Sequence, residues 1–328
     1  MPRSDFVRVE YDQPHFRRMR AILRDHPEVR RLFGTEPLTA LWTVGLVGVQ
    51  LGLGACLAER AWWLILLWAY LVGAVLNHSL WVVIHESCHR LVFRGTLPNR
   101  LVALLANLPQ VVPGSMSFWK YHLLHHSWLG EQHGDADLAL EEEAAWVGNS
   151  RLRKALMMFF FSFVQGVLRP SQIREVRLLD RWLVVNVICQ AVFVGLFWSW
   201  AGPGGVAYLF LSMLFALGLH PLGGRWIAEH YLTHGEQETY SYYGPLNRLC
   251  FNMGYHNEHH DFVQVPWSRL PRLREMAPEY YEELYQHPSW PGVLMRFVWD
   301  PEVTLWDRIV RPRRKRQTEG TGTSQPDR

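Results

Sequence analysis

Residues 61–89 read AWWLILLWAYLVGAVLNHSLWVVIHESCH, an apolar run that ends in two histidines four positions apart. The run is long enough to cross a bilayer as a helix, which takes about 20 apolar residues. On a helix, positions i and i+4 project from the same face, so His85 and His89 can reach one ion. The stretch therefore predicts a membrane span over about 61–84, with a metal-binding pair at its end.

Three further segments are apolar enough to cross a membrane, and they lie at about 38–57, 182–200 and 206–227. Because segments this free of charge are what hydrocarbon demands, we prefer membrane spans to the buried helices of a soluble bundle. Two shorter apolar stretches, Leu101–Val112 and Leu156–Leu168, are predicted to be interfacial or re-entrant. The predicted fold class is all-α: a multi-pass membrane protein with about four spans and a cytoplasmic cap that carries a histidine-rich site.

The distribution of basic residues predicts the orientation. The link between the first two spans offers only Arg60, and residues 201–205 offer none, whereas the N-terminal arm is rich in arginine: Arg3, Arg8, Arg17, Arg18, Arg20, Arg24, Arg30 and Arg31. By the positive-inside rule, both ends and the long middle loop face the cytoplasm. We expect a cytoplasmic arm at 1–37, one membrane domain at 38–310, and a basic, disordered tail at 311–328.

Charge and cysteine content exclude other classes of protein. The formal net charge of +3 is too small to indicate nucleic-acid binding. The four cysteines are scattered and form no Cys-x-x-Cys pair, so neither a disulfide framework nor a thiolate metal site is expected.

Eight of the sixteen histidines fall in three short motifs. Besides His85 and His89, these are His122-Leu-Leu-His125-His126 and His256-Asn-Glu-His259-His260. In H-x-x-H-H, a helix gathers all three rings on one face. Imidazole suits iron, copper or zinc, and eight imidazoles exceed what one tetrahedral zinc can use. The motifs therefore predict a site for two metal ions on one membrane face.

A ninth ligand is expected after the last span. We favour His230, which follows Glu229 just past the membrane exit, and leave His220 and His234 open. His78 lies within the second span, where an ionisable group is a functional candidate. A hydrogen-bonded packing role for His78 fits equally well.

Metal-bound imidazoles usually donate their second N–H to a carboxylate or a carbonyl. The acidic residues close enough in sequence to accept it are Asp135, Asp137, Glu229, Glu258 and Asp261. The remaining histidines without a motif are expected at the surface: His15, His26, His133 and His287.

A different class of enzyme is also compatible with one motif. His85-Glu86-Ser87-Cys88-His89 satisfies H-E-x-x-H, in which two histidines bind zinc and the glutamate is a general base. A membrane metalloprotease would leave both H-x-x-H-H motifs unexplained, so we rank it far below a two-ion site. A metal transporter or sensor ranks lower still, because its histidines should lie within the spans or in a flexible tract.

Taken together, these motifs resemble the membrane fatty-acid desaturase and hydroxylase superfamily, and within it the sphingolipid Δ4-desaturases (dihydroceramide desaturases). The closer similarity rests on Tyr11–His15 with Asp25–Leu32, on Asn77–Ser79, and on Glu238–Asn247 continuing into Gly254–Phe262. It covers the chain to about residue 310. The sequence departs from the family at Arg225, where histidine is frequent, at Val263, where proline is usual, and at Pro2, where animal members have a myristoylated glycine.

The resemblance implies two iron ions held by His85, His89, His122, His125, His126, His256, His259 and His260, with His230 as the ninth ligand. It also implies dioxygen as co-substrate, and a cytochrome b5-type or ferredoxin-type electron donor with its reductase. The expected activity is insertion of a trans Δ4 double bond into dihydroceramide or a related sphingolipid.

Alternatives within the superfamily stay open. Removal of one hydrogen from an unactivated carbon leaves a radical: loss of the neighbouring hydrogen gives an alkene, and return of oxygen gives an alcohol. C4 hydroxylation, or desaturation of another long-chain lipid, is therefore the main alternative. The membrane would be the endoplasmic reticulum in a eukaryote and the inner membrane in a bacterium, with the active site on the cytoplasmic side. Substrate would enter laterally into an apolar tunnel.

Overall fold

A computed structural model describes residues 1–173 and 179–312, and this part of the chain is mostly helical. Its only strands are Val7–Arg8 and Ile309–Val310, which pair in parallel and join the two ends of the described chain. The longer helices, in chain order, are Pro14–Asp25, Leu38–Leu57, Trp62–Cys88, Thr96–Asn107, Ser115–Ser127, Glu141–Val147, Arg151–Phe159, Arg181–Ala216, Gly224–His230, His256–Asp261, Leu270–Met276 and Trp290–Trp299.

Three of these helices are long and apolar enough to cross a membrane: Leu38–Leu57, Trp62–Cys88 and Arg181–Ala216. A fourth candidate exists if Thr96–Gln110 and Ser115–Ser127, bent by 116° at a short break, count as one span. The first helix has the predicted bounds. The second continues beyond the predicted end to Cys88, so that His85 lies in its last turn.

The predicted third and fourth spans form one helical segment that is broken in the middle. Gly202, followed by Pro203, leaves the helical region with φ 61° and ψ −170°. Gln190 contacts Leu108 O, and Ala216 O contacts His78 Nδ1. Residues 190 and 216 would lie about 39 Å apart in a straight helix. Gln110 also donates to Asn77 O, next to His78, so residues 190 and 216 lie at the same height along the bundle. The two halves of the segment are therefore antiparallel, and the chain reverses at Gly202.

The end predicted for the fourth span is wrong. The helix ends at Ala216 rather than near Ile227. The next residues, around His220, form a tight turn that leads into the short helix Gly224–His230. The physical reason is close packing of backbone: a Cβ on Gly223 would lie 1.9 Å from Gly218 O, so this segment cannot continue as a regular span.

The shorter apolar stretches each begin in a regular helix and end in an irregular turn, and their interfacial or re-entrant position stays a prediction. Leu101–Val112 lies in the bent pair, and Leu156–Leu168 ends in the π-helical turn Val164–Leu168. On the outside of the bundle, many large apolar side chains are exposed, and at the Gly202 end they include four tryptophans: Trp62, Trp63, Trp198 and Trp200. An apolar surface of this extent with tryptophans at one end is typical of a membrane protein.

A helical cap covers the other end of the bundle. The helix of the N-terminal arm, Pro14–Asp25, packs on His256–Asp261, and Ile22 shares a small apolar core with Phe262 and Leu270. Arg311, predicted to begin the disordered tail, is buried and pairs with Glu238, so the ordered part extends beyond residue 310. The rest of the predicted tail from residue 313 lies outside the described residues.

Candidate metal centre

All nine predicted ligands meet where the bundle joins the cap. They come from four helices: the last turn of Trp62–Cys88 with the residue after it, Ser115–Ser127, Gly224–His230 and His256–Asp261. Local contacts begin two of these helices. Asn107 Oδ1 accepts the N–H groups of Gly114 and Ser115, at 2.9 and 2.6 Å. Gly254 precedes the last helix, and a Cβ there would lie 2.3 Å from Tyr242 O, so only glycine fits.

Five histidines form the larger group, which we name cluster A: His85, His89, His122, His126 and His259. Each offers one ring nitrogen, and these atoms all lie within 4.8 Å of one another. The Nε2 atom of His122 lies 2.9 Å from Nε2 of both His89 and His126, and Nε2 of His259 lies 3.1 Å from that of His126. Cluster A therefore joins all three sequence motifs.

Four histidines form the second group, cluster B: His125, His230, His256 and His260. Ring nitrogens of His125, His230 and His260 lie within 4.8 Å of one another. His256 Nε2 lies 2.9 Å from His230 Nε2, and its ring centroid is 4.5 Å from that of His260. The two H-x-x-H-H motifs are thus each divided between the clusters, which contain five and four imidazoles.

The chemistry of these side chains fits two bound cations. Nε2 atoms of different histidines face one another at 2.9 to 3.1 Å, so that several ring nitrogens can donate their lone pairs to one cation between them. Buried nitrogens of His85, His259 and His260 have no hydrogen-bond partner. Burial also holds the pKa of His259 and His260 well below the ordinary value, so these imidazoles are neutral, as metal ligation requires.

A carboxylate holds one of the cluster B rings from outside, and a second carboxylate lies near another ring without a hydrogen bond to it. His125 Nδ1 lies 2.8 Å from Asp135 Oδ1 and 3.5 Å from Asp137 Oδ2. Glu229 Oε1 lies 3.5 Å from His256 Nδ1 and accepts from Arg225 at 2.5 Å. Burial raises the pKa of Glu229 to about 7 despite its arginine partner. Arg225 therefore acts here as a partner of Glu229.

Three other predicted supporting residues have different partners. Glu258 accepts from Ser241 and Tyr243, at 2.8 and 2.6 Å, and contacts no imidazole at hydrogen-bond distance. Asp261 binds residues of the N-terminal arm. His78 Nδ1 contacts the carbonyl of Ala216 at 2.8 Å, which matches the packing alternative.

Of the three candidates for the ninth ligand, His230 is the one that joins a cluster among the described residues. His220 accepts the N–H of Leu222, and its ring packs against Tyr70. His234 stacks on Tyr285, with centroids 4.3 Å apart.

The prediction that His15 and His287 lie at the surface is wrong. Their exposed fractions are 1% and 5%, because His15 packs under the helix His256–Asp261 and His287 packs against Tyr240. His133 is exposed as expected, and His26 is partly exposed. His15 belongs to Tyr11–His15, a stretch that resembles the sphingolipid Δ4-desaturases. That resemblance was the one signal in the sequence that could have pointed to a role for His15.

Glu86 does not occupy the position of a protease base. Its Oε2 atom accepts the backbone N–H of Trp267 at 3.0 Å, and its Oε1 atom is 3.6 Å from His85 Nδ1. His85 and His89 meet three further imidazoles rather than the single third ligand of a zinc hydrolase. The geometry argues against the H-E-x-x-H alternative.

An apolar cavity of about 340 Å³ reaches the clusters. Trp81, Phe118, Phe163, Met213 and Leu217 line its apolar part. His85, His122, His125 and His256 line its metal end, together with the polar residues Asp137, Gln165, Arg225 and Glu229. The cavity thus has an apolar body and a polar end at the histidines, as is typical of pockets that bind a largely apolar small molecule.

Comparison with known proteins agrees with this geometry. The family model described as fatty acid desaturase matches residues 60–292, and the one described as sphingolipid Delta4-desaturase matches residues 2–38, which contain His15. The chain is 39% identical to the sphingolipid delta(4)-desaturase DES1-like protein of Oryza sativa subsp. japonica, covering 96% of this chain and 95% of the relative. It is 41% identical to the sphingolipid delta(4)-desaturase/C4-monooxygenase DES2 of Rattus norvegicus, and 38% identical to the sphingolipid delta(4)-desaturase DES1 of Homo sapiens, covering 94% of this chain and 95% of each relative.

Proposed function

This chain belongs to the fatty acid desaturase family and, within it, to the sphingolipid Δ4-desaturases, and from that premise we propose that it inserts a trans Δ4 double bond into dihydroceramide or a closely related sphingolipid. The observation that carries the proposal is the meeting of nine buried or partly buried imidazoles with the polar end of an apolar cavity. A membrane lipid oxidised by dioxygen needs both features in one place.

We propose that cluster A and cluster B each hold one iron ion. Iron supplies the activation of dioxygen that removal of hydrogen from an unactivated methylene requires. The protein contributes the imidazoles, the carboxylate of Asp135 that orients His125, and walls that exclude bulk water.

The polar end of the cavity supports a substrate with its head group close to the reacting carbons. In dihydroceramide, C4 is bonded to the hydroxyl-bearing C3, and the amide nitrogen is on C2. When C4 lies at the clusters for oxidation, the C3 hydroxyl and the C2 amide must therefore also lie near the histidines. Asp137 can accept from a hydroxyl or an amide N–H, and Gln165, which already contacts Asp137, adds an amide group to the same wall.

The apolar part of the cavity supports binding of the remaining chain. Trp81, Phe118 and Phe163 are bulky and rigid, so they can hold a methylene chain in one path past the histidines. Because the choice between a second hydrogen loss and oxygen return depends on the position of the chain, we expect C4-hydroxylated lipid as a minor product. The relative from Rattus norvegicus, whose name includes both activities, favours this second outcome.

Electron supply and orientation are further parts of the proposal. We expect a cytochrome b5-type or ferredoxin-type carrier with its reductase to deliver electrons to a cytoplasmic cap. The active site would then lie on the cytoplasmic side of the membrane, which is the endoplasmic reticulum membrane in a eukaryote and the inner membrane in a bacterium. The arginine-rich arm supports this orientation, and an N-terminal tag accessible to protease only from the opposite side would contradict it.

Expression in a host that makes dihydroceramide but lacks its own Δ4-desaturase tests the function. We expect lipid analysis to find ceramide with a trans double bond between C4 and C5, together with some C4-hydroxylated lipid. A catalytically inactive His125→Ala variant, expressed to the same level, controls for the activities of the host. Unchanged sphingolipids beside a new double bond in another lipid would refute the substrate and leave the family intact.

A further inference from the structure

The N-terminal arm reaches the outer side of cluster B. His15, in the first turn of the arm helix Pro14–Asp25, is 1% exposed, and Asp261 in the helix of the third motif is 3% exposed. The ring of His15 lies 4.9 Å from that of His260, centroid to centroid. A histidine outside all three motifs is thus packed directly against a cluster B imidazole.

His15 joins two buried groups on either side of its ring. Its Nδ1 atom is 2.7 Å from Asp261 Oδ1, and its Nε2 atom is 2.9 Å from Thr239 Oγ1. If His15 donates its Nδ1 proton to the carboxylate, its Nε2 atom accepts the hydroxyl proton of Thr239. The oxygen of Thr239 can then accept from His230 Nδ1, which lies 3.4 Å away and also contacts Glu238 O at 3.2 Å. The donors and acceptors form one directed series from His230 to Asp261.

Arg18 holds the far end of this series. Its Nε atom donates to Asp261 Oδ2 at 2.6 Å, and its Nη2 atom donates to Asn257 Oδ1 at 2.8 Å. Asn257 in turn donates to the carbonyl of Thr239 at 3.0 Å. The arm therefore fixes both the ligand-bearing helix His256–Asp261 and the segment that contains Thr239.

We propose that His15 is a positioning residue for the metal of cluster B, linking the carboxylate of Asp261 to the ligand His230 through Thr239. The link holds the imidazole of His230 in one tautomer and orientation and strengthens it as a ligand. The arm is then part of the metal centre as well as of the fold. The inference rests on the proposed function, because it requires a metal ion in cluster B.

Iron binding by the full-length protein tests the proposal without depending on turnover. Ferrous iron is titrated anaerobically into metal-free protein in the presence of a competing chelator, and the loaded protein is examined by Mössbauer spectroscopy. We expect His15→Phe and Thr239→Val each to lower the affinity for one of the two iron ions about 10- to 100-fold. The quadrupole doublet of that iron alone should change. The double variant should be no weaker than the worse single variant, because both changes break the same series.

Two further variants separate positioning from mere folding. His15→Gln, which keeps one donor and one acceptor, should restore most of the affinity. His26→Phe, a change of another histidine beside the arm helix that pairs with the exposed Glu279, should behave as wild type. If His15→Phe fails to fold, Thr239→Val decides the question, because Thr239 lies outside the arm.

Two results would overturn the inference. The first is that both His15→Phe and Thr239→Val bind two iron ions with the affinity and the quadrupole doublets of the wild type. The other is an equal loss of both irons, without rescue by His15→Gln, which would show a purely structural role. A wild-type protein that binds no iron would instead contradict the proposed function.

Discussion

His125 Nδ1 lies 2.8 Å from Asp135 Oδ1, and both side chains are fully enclosed between the bundle and the cap. The carboxylate is itself held in place, since Oδ2 accepts the N–H of Gly130 and Oδ1 accepts that of Asp137, both at 2.8 Å. Burial alone would raise the pKa of Asp135, but the nearby His125 and Arg308 outweigh burial and lower it. The carboxylate is therefore ionised and holds His125 through Nδ1, so that the other side of the ring faces His230 and His260.

Asp135→Asn should weaken the iron of cluster B while the fold survives. The amide is nearly the same size as the carboxylate but lacks its charge, so the His125 imidazole loses orientation and basicity. We expect about 10- to 100-fold weaker iron binding at one of two sites, measured by chelator competition. Asp5→Asn, an exposed aspartate that pairs with Arg8, is the matched control and should change nothing. Full iron affinity in Asp135→Asn would contradict the assigned contact.

A pair of variants separates the oxygenase from a zinc protease. His125→Ala should abolish lipid oxidation because cluster B loses a ligand. Glu86→Gln should retain activity to within about 100-fold, since the glutamine carbonyl can still accept the N–H of Trp267. In a zinc protease the order would be reversed, because Glu86 would be the base that activates the metal-bound water. The assay should follow lipid oxidation and cleavage of a membrane-bound reporter, with metal content measured for each variant.

Narrowing the cavity should impair lipid turnover without loss of metal. Gly166 lines the cavity, and a Cβ there would meet no heavy atom within 4 Å, so Gly166→Leu can fold while its side chain occupies substrate space. We expect kcat/KM for a long-chain dihydroceramide to fall about 10-fold or more, with two irons retained. Gly195→Leu is the matched control, because a Cβ on Gly195 also meets open space. Gly195 lies on the exposed face of a span and does not line the cavity. Equal kinetics for the two variants would argue that substrate binds elsewhere.

How much of the site could be predicted depended on whether the signal was local. The i, i+4 spacing of His85 and His89 and the H-x-x-H-H motifs concern single helices, so eight of the nine imidazoles could be identified from the sequence. Their division into five and four could not, because each cluster combines rings from at least three helices that are distant in the chain. His15 was missed for the same reason: its partner Asp261 lies 246 positions away.

The spans illustrate the same limit. The bounds of Leu38–Leu57 were predicted because the apolar run ends where charge begins. The end of the last span was missed because Gly218 and Gly223 pack backbone against backbone, and that contact has no periodic signature. Arg311 was assigned to a solvated tail from its basic neighbours, whereas burial against Glu238 is a tertiary contact.

His287 should make stability depend on pH. Burial lowers its pKa from 6.5 to about 4, so the folded protein binds this proton less readily than the unfolded chain. The contribution of neutral His287 to the free energy of unfolding is fully present above pH 6.5. It is lost as the pH falls toward 4, which lowers the free energy of unfolding by about 3 kcal/mol at most. Thermal unfolding in detergent should therefore show a smaller drop in Tm between pH 7.5 and pH 5 for His287→Gln than for wild type. The exposed His133→Gln should match wild type; an identical pH response of all three proteins would refute the assignment.

Sphingolipid Δ4 desaturation by this protein can be measured with purified, iron-loaded protein that is given dioxygen, a reduced electron carrier and dihydroceramide deuterated at C4 and C5. We expect ceramide with a trans double bond that has lost one deuterium from each of these carbons, and a minor C4 alcohol that has lost one deuterium from C4 only. Recovery of unchanged lipid from a preparation with two irons per chain and a competent electron donor would show that dihydroceramide is not the substrate.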